Sequence, residues 1–325
     1  MSAGTAALLG LDKYWLDVKP TTAYLMTYTE GSCTANCAFC PQARESPSNK
    51  SLLSRVLWPA YPTEEVMDGL RRADASLQRV CIQTVNYPGF FDDALALLRK
   101  IKEVREIPVS IDTSPLTRAQ MMELKTGGLD RIGIPLDIAT EELFDRVKGA
   151  QTKGPYRWEK HFEALSTAVE VFGARRVLSN LIIGLGETER EAVGVIQRLK
   201  DMKVHTALFA FTPIPGTALS RQPQPPLDAY RRIQLARHLI TGGLASIHGM
   251  EFDDEGRITG FGIDEETKAR MLQDGEAFRT SGCPGCNRPY YNERPSGPFY
   301  NYPRKLTVGE AEKEARLLEL IDNEK

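Results

Sequence analysis

Short runs of β-branched and aliphatic residues alternate with longer amphipathic stretches along most of the chain. The runs, such as RVCIQTV at residues 79–85, are typical of buried strands, and stretches such as residues 158–172 repeat apolar positions with a helical period. The pattern predicts strands at residues 22–28, 79–85, 109–112, 131–136, 176–183, 206–211 and 245–250. It predicts helices at residues 63–73, 91–105, 117–127, 141–147, 158–172, 188–202 and 228–241.

This alternation predicts an α/β fold with a parallel sheet, either doubly wound or a partial or full (β/α) barrel. In both architectures the chemistry gathers at the carboxyl ends of the strands. The alternation stops near residue 270, where the chain becomes SGCPGCNRPYYNERPSGPFYNYP, too rich in Pro and Gly for a regular element. We therefore predict an N-terminal extension (1–20), a barrel (21–270) and an irregular C-terminal segment (271–325), whose final helix begins at the capping box of Thr307 and Glu310.

Composition narrows the class of protein. The 41 basic and 43 acidic residues nearly cancel, so nothing in the charge predicts a nucleic-acid partner or an anionic membrane surface. No apolar run approaches the length of a membrane span, and the first residues lack the features of a secretory signal. We expect a cytoplasmic protein, in which clustered cysteines serve as metal ligands or redox groups because structural disulfides are rare there.

Half of the six cysteines lie in one loop directly after the first predicted strand. They are Cys33, Cys37 and Cys40, in the sequence CTANCAFC. Three thiolates with this spacing suit a [4Fe–4S] cluster and leave one iron without a protein ligand, where a small molecule can chelate. A structural zinc site fits less well, because such sites normally have four ligands in paired spacings.

At this loop the sequence resembles the radical S-adenosylmethionine (SAM) superfamily, whose signature is this cysteine spacing with an aromatic residue before the third cysteine, here Phe39. The resemblance implies a (β/α) barrel of the radical SAM type, a [4Fe–4S] cluster on the three cysteines, and SAM bound at its open iron.

A second segment, NLIIGLGE at residues 180–187, resembles the fifth-strand motif of the same superfamily. The resemblance implies that Asn180, Ile182, Gly184 and Glu187 shape the adenosine pocket of SAM. A dinucleotide-binding loop is the alternative, but Glu189 occupies the place of its third glycine.

The other three cysteines are Cys81, inside the second predicted strand, and Cys283 and Cys286, in the CPGC of the C-terminal segment. Zinc-knuckle, dithiol and cluster interpretations compete for CPGC, since two ligands do not complete a metal site. Cys81 alone is also compatible with a buried structural thiol. A C-terminal segment folded across the mouth of the barrel would bring all three together.

The sequence around Cys81 resembles biotin synthase, in which a second-strand cysteine binds a sulfur-donating auxiliary cluster. The resemblance extends to Asp137, which it implies contacts the SAM ribose, although Pro135 replaces the asparagine paired with that aspartate. Asp112 and Leu178 occupy the positions of two further auxiliary cysteines.

Phe209 falls near the amide residue that would hold a ureido ring, and an apolar side chain there favours an aliphatic substrate. The auxiliary cluster of biotin synthase therefore cannot form in its usual way, whereas Cys81, Cys283 and Cys286 offer a different ligand set. Its fourth ligand is undecided among Ser281, Ser296 and Arg288.

The barrel together with SGCPGCNRPYYNERPSGP resembles the two-subunit lipoyl synthases of archaea and some bacteria. The resemblance implies a 5′-deoxyadenosyl radical from SAM, hydrogen abstraction from an octanoyl chain, and sulfur donated by an auxiliary [4Fe–4S] cluster. It also implies three partners: an octanoylated lipoyl-acceptor protein, a homologous radical SAM subunit, and a ferredoxin or flavodoxin as reductant. Two alternatives stay open, a biotin synthase-like or other radical SAM enzyme on a different small substrate, and a non-catalytic iron–sulfur or zinc scaffold supporting a homologous partner.

Overall fold

The structure is a computed structural model and describes residues 1–318; for residues 265, 268, 269, 272 and 273 only the backbone is considered. Its strands are β1 (Thr22–Met26), β2 (Leu52–Leu53), β3 (Val56–Leu57), β4 (Arg79–Gln83), β5 (Val109–Asp112), β6 (Arg131–Gly133), β7 (Val177–Ile183), β8 (His205–Ala210), β9 (Glu251–Phe252) and β10 (Ile258–Gly260). Its α-helices are α1 (Ala3–Leu8), α2 (Thr63–Arg72), α3 (Phe90–Val104), α4 (Arg118–Thr126), α5 (Glu141–Val147), α6 (Trp158–Phe172), α7 (Glu189–Asp201), α8 (Leu227–Gly242), α9 (Glu265–Asp274) and α10 (Val308–Leu317).

Six strands form one parallel sheet in the order β1-β4-β5-β6-β7-β8, which is also their order in the chain. The sheet curls into a half-barrel with β1 and β8 at its open edges. The prediction of an α/β fold is confirmed, and the barrel is the partial one of the two forms predicted. Among residues 1–318 no helix is long and apolar enough to cross a membrane.

The helices that follow the strands cover the outside of the sheet with their apolar faces. In α3, for example, Leu95, Leu98 and Ile101 are buried, while the first-turn Asp92 and Asp93 are exposed. Helices α4 and α7 begin at complete capping boxes, which the sequence shows as a threonine followed three residues later by Gln or Glu. All the predicted helices are present with ends within two residues of those predicted.

The predicted strand at residues 245–250 is wrong. The chain there forms a 3₁₀ turn at Ile247–Gly249, and the backbone N–H of Ile247 donates to the side chain of Gln197 in α7, 3.2 Å away. The turn therefore contacts α7 and does not extend the sheet beyond its edge strand β8. The sequence pattern also did not predict α1, α9 or the hairpins β2–β3 and β9–β10.

The C-terminal segment is irregular, as predicted, from the 3₁₀ turn Glu276–Phe278 to α10. Helix α10 begins at the predicted capping box of Thr307 and Glu310. The domain division stays a prediction, and its boundary at residue 270 lies within α9. The segment contacts the half-barrel at two places: Asn287 bonds to Lys19 and Thr21, which precede β1, and residues 299–314 pack on α8. The CPGC turn therefore lies at the amino-terminal end of β1 and not, as predicted, across the mouth of the barrel.

Candidate iron–sulfur and SAM site

A single cavity of about 310 Å³ lies within the half-barrel, and all six cysteines line it. All six are free thiols. Apolar side chains from several strands form much of its wall, namely Met26, Val85, Ile182, Phe209 and Phe211. The two cysteine groups that the sequence predicted separately therefore face one enclosed space.

The first group lies on a loop that backbone hydrogen bonds hold in place after β1. The N–H of Cys40 donates to the carbonyl of Cys37 at 3.0 Å, and the N–H of Cys33 donates to the carbonyl of Gln42 at 3.2 Å. Ala38 between them bonds to Val147, at the end of α5, at 2.8 Å. Phe39, the aromatic residue of the motif, also lines the cavity.

Burial suppresses ionisation of two of these thiols, Cys37 and Cys40. It raises the pKa of Cys40 to about 12, and it raises the pKa of Cys37 well above its usual range, with the charge of Lys148 opposing that rise. Binding of iron as a thiolate displaces such protons. Soft, buried, convergent donors of this kind fit an iron–sulfur cluster.

No three His, Cys, Asp or Glu side chains in residues 1–318 converge closely enough to hold one metal ion. A mononuclear zinc site requires that convergence. The arrangement is compatible with a cluster, since each thiolate there binds a different iron and the thiolates lie farther apart.

Asp137 lies in the cavity beside the cluster loop and forms a buried ion pair. It follows β6 with a φ of 67° and forms an isolated bridge to Leu181 of β7. Its Oδ2 lies 2.7 Å from Nζ of Lys148, which also donates to the carbonyl of Pro135 at 2.6 Å. The sequence did not predict Lys148 as a site residue, because a lysine at the end of a helix is usually a solvated capping residue.

Asn180 and Ile182 of the predicted SAM motif line the cavity, whereas Gly184 and Glu187 shape the turn that follows β7. The carboxylate of Glu187 accepts the N–H groups of Gly184 at 2.6 Å and Leu185 at 3.0 Å. Gly184 has a φ of 103°, and a Cβ there would lie 2.8 Å from Pro225. Direct contact of these residues with SAM stays a prediction.

The second group of cysteines meets around Tyr24, which the sequence did not single out. Tyr24 pairs in register with Cys81, and its hydroxyl lies 3.1 Å from Sγ of Cys286. Cys286 closes the CPGC turn by donating its N–H to the carbonyl of Cys283 at 3.0 Å. Burial raises the pKa of Cys283 to about 11 and that of Cys81 well above its usual range, and the neighbouring Cys286 adds to both rises.

Two polar side chains lie beside Cys81. Gln83 Nε2 is 3.1 Å from Sγ of Cys81 and 3.1 Å from Oδ2 of Asp112. Burial raises the pKa of Asp112, which occupies the position of an auxiliary cysteine in the biotin synthase pattern. The structure therefore places a carboxyl group where that pattern has a thiol.

Of the proposed fourth ligands, Arg288 alone lines the cavity. Its guanidinium carbon lies 3.8 Å from the centroid of the Phe209 ring. The hydroxyl of Ser281 accepts the N–H of Leu208 at 2.8 Å, and Ser296 is exposed. The two serines therefore lie outside the lining of the cavity, and Arg288 brings a positive charge to it.

Fold and site together define a half-barrel protein with an iron–sulfur loop at the carboxyl end of its first strand. A family model described as the radical SAM superfamily matches residues 29–199, more than half of the chain. The chain belongs to the radical SAM superfamily, which implies a [4Fe–4S] cluster and SAM as cofactors.

Curated relatives include biotin synthases at low identity. The chain is 27% identical over 224 residues to the biotin synthase of Allorhizobium ampelinum, covering 66% of this chain and 64% of that protein. It is 25% identical over 227 residues to the biotin synthase of Synechococcus sp. (strain RCC307), covering 67% of this chain and 66% of that protein. The chain thus spans slightly less than two thirds of these relatives.

Solved structures with the same fold include methylornithine synthase, with a TM-score of 0.54 at 14% identity over 68% of this chain and 62% of that one. A maturase of the [FeFe]-hydrogenase has a TM-score of 0.54 at 15% identity, covering 69% of this chain and 51% of that one. At these identities the similarity shows the fold alone.

Proposed function

We propose that this radical SAM enzyme inserts sulfur into an aliphatic chain and is a component of a two-subunit lipoyl synthase acting on a protein-bound octanoyl group. The observation that carries the proposal is the second group of cysteines, Cys81, Cys283 and Cys286, on the same cavity as the first. The similarity to biotin synthases supports it, because the resemblance around Cys81 implies a sulfur-donating auxiliary cluster.

Each cysteine group would hold one cluster. When bound, the cluster on Cys33, Cys37 and Cys40 and SAM supply a 5′-deoxyadenosyl radical, and the auxiliary cluster supplies sulfur. The protein orients the reactants and excludes water, which would otherwise compete for the reactive species. Lys148 and Asp137 form a buried polar pair that fixes the orientation of the carboxylate facing the SAM pocket.

The cavity wall suits an alkyl chain. Phe209 and Tyr291 stack edge-to-face with their centroids 5.5 Å apart, and both line the cavity. Val85 and Ile182 extend the apolar surface. An octanoyl chain can bury its methylene groups there, each contributing about 0.8 kcal/mol. The acceptor protein, the homologous subunit and a ferredoxin or flavodoxin are the partners that we propose with this activity.

A biotin synthase-like reaction on a different small substrate is the second candidate, and the curated relatives favour it. Two substitutions in the pattern weigh against it, since Asp112 and Leu178 line the cavity where cysteines are expected. A non-catalytic scaffold is the third possibility carried from the sequence, and a SAM-cleavage assay separates it from both enzymes.

The test is anaerobic reconstitution followed by reaction with SAM, a reductant and an octanoyl-lysine peptide. We expect 5′-deoxyadenosine and a thiolated octanoyl peptide from the wild type. The Cys283→Ala/Cys286→Ala variant is expected to form 5′-deoxyadenosine without the thiolated product. Thiolation of dethiobiotin instead of the peptide would replace the proposal with the second candidate. SAM cleavage that needs the homologous partner and persists in Cys37→Ala would leave the scaffold.

A further inference from the structure

The CPGC turn lies at the amino-terminal end of β1 and β4, opposite the cluster loop. The side chain of Asn287 accepts the N–H of Thr21 at 3.0 Å and donates to the carbonyl of Lys19 at 2.9 Å. Gly285 packs so closely on Gln78 that a Cβ would overlap the Gln78 side chain. The turn therefore contacts the residues that immediately precede Thr22 and Arg79, and it closes the floor of the half-barrel.

Arg79, the first residue of β4, carries buried donors without an acceptor. Its side chain is 6% exposed, and its Nη2 lies 2.8 Å from Oδ2 of Asp130. Its Nε and Nη1 have no hydrogen-bond partner among the described residues. Unpaired donors of a buried charge are costly, so a position that retains them indicates an acceptor outside the protein chain.

A second buried polar group without a hydrogen-bond partner lies on the same face of the sheet as Arg79. Thr22 is the register partner of Arg79 across β1 and β4, is fully buried, and its hydroxyl has no partner among residues 1–318. Tyr24 and Cys81, the next register pair on this face, both line the cavity. Because side chains alternate along a strand, Thr22 and Arg79 lie one layer below them on the same face.

The chemistry of this layer matches an anionic sulfur cluster. Cys283 and Cys286 line the cavity together with Tyr24 and Cys81, the register pair directly above Thr22 and Arg79. A cluster held by thiolates is a hydrogen-bond acceptor, and hydrogen bonds to its sulfurs together with local charge set its reduction potential. Arg288 provides a cation on the cavity side of the same cysteines.

We propose that Arg79, assisted by Thr22, positions the auxiliary cluster from the floor of the half-barrel by donating hydrogen bonds to its sulfur atoms. Arg79 is a positioning residue in this assignment. The inference rests on the proposed function only in that Cys81, Cys283 and Cys286 hold a cluster.

The experiment uses the full chain with Cys33, Cys37 and Cys40 replaced by Ala, so that the auxiliary cluster is the only one present. Arg79→Gln and Thr22→Val are compared with Arg176→Gln, which removes an arginine that also pairs with Asp130, at 2.9 Å, but is 54% exposed. The readouts are iron and sulfide content, the midpoint potential from an EPR-monitored titration, and the rate of iron loss to a chelator.

We expect Arg79→Gln to lower the midpoint potential and to speed iron loss about tenfold, since a hydrogen bond to a charged group is lost. Thr22→Val should change the midpoint potential and the rate of iron loss in the same directions but by less. Arg176→Gln should have the same potential and rate as the parent. Unchanged potential and iron loss in Arg79→Gln would overturn the inference. If Arg79→Gln does not fold, an unchanged potential in Thr22→Val overturns it instead. A parent protein without any cluster would refute the proposed function itself.

Discussion

Arg231 ties the C-terminal segment to the half-barrel through a buried ion pair. It lies in α8 with a side chain that is 0% exposed, and its Nε is 2.6 Å from Oε2 of Glu314 in α10. Its Nη1 donates to the carbonyl of Tyr300 at 2.7 Å and to the side chain of Gln234 at 2.6 Å. Replacing Arg231 with Met therefore removes the ion pair and leaves a buried carboxylate.

The magnitude follows from that burial. Removing one partner of a buried pair costs about 3–5 kcal/mol, because the remaining charge is uncompensated. The side chain of Glu314 is 4% exposed and, among the residues that the structure describes, retains only the hydroxyl of Tyr302, at 2.7 Å from Oε1. We expect Arg231→Met to lower the free energy of unfolding by about 3–5 kcal/mol. We also expect the loosened segment to weaken binding of the cluster proposed for Cys81, Cys283 and Cys286.

Urea denaturation with linear extrapolation measures the change. Arg304→Met is the matched control, since Arg304 pairs with Glu310 of the same helix at 2.8 Å but is 44% exposed. Its cost should stay below about 1 kcal/mol. The double variant Arg231→Met/Glu314→Leu should recover much of the loss, because no charge stays buried. A loss in Arg231→Met no larger than in the control would refute this reasoning.

Three further predictions concern the site. Cys37→Ala should abolish formation of 5′-deoxyadenosine while about four irons stay bound, and cleavage at the wild-type rate would contradict the assignment. Lys148→Met should weaken SAM binding about tenfold in calorimetry, because Asp137 loses its partner at 2.7 Å, whereas an unchanged Kd would exclude this role. Burial lowers the pKa of His161 to about 3. Below about pH 6.5 the unfolded chain therefore binds a proton that the folded protein does not, and the free energy of unfolding falls as the pH drops from 6.5 toward 3. The variant His161→Phe can retain ring packing on Phe144 and should lose less stability than the wild type between pH 7 and pH 5. Equal losses in urea titrations of the two proteins would contradict the lowered pKa of His161.

The fold was predictable where the local sequence and the packing agree. β4 and β7 are β-branched runs that are largely buried in the sheet, and the capping boxes at Thr117 and Thr188 mark helix starts that the structure reproduces. Residues 245–250, with the sequence ASIHGM, contain one β-branched residue, Ile247, and add no strand to the sheet. Periodicity cannot distinguish these cases, because pairing depends on residues distant in the chain.

The site residues were predictable where the spacing of residues along the chain indicates their chemistry. Cysteines at fixed intervals indicate ligands, and all of them line one cavity. Tyr24 and Lys148 carried no such signal, since a tyrosine in a strand and a lysine after a helix are common in any α/β protein. Arg79 could not be recognised either, because its role depends on a turn that approaches from some 200 residues away in the chain.

The measurement that tests the central claim most directly follows the origin of the sulfur. The protein is rebuilt with iron and ³⁴S-sulfide, freed of excess sulfide, and allowed one turnover with SAM, a reductant, the homologous partner carrying unlabelled clusters, and an octanoyl-lysine peptide. The account predicts that ³⁴S appears in the peptide from the wild type and not from Cys283→Ala/Cys286→Ala. A thiolated product that carries only unlabelled sulfur would contradict the assignment of Cys81, Cys283 and Cys286 as the ligands of a sulfur donor.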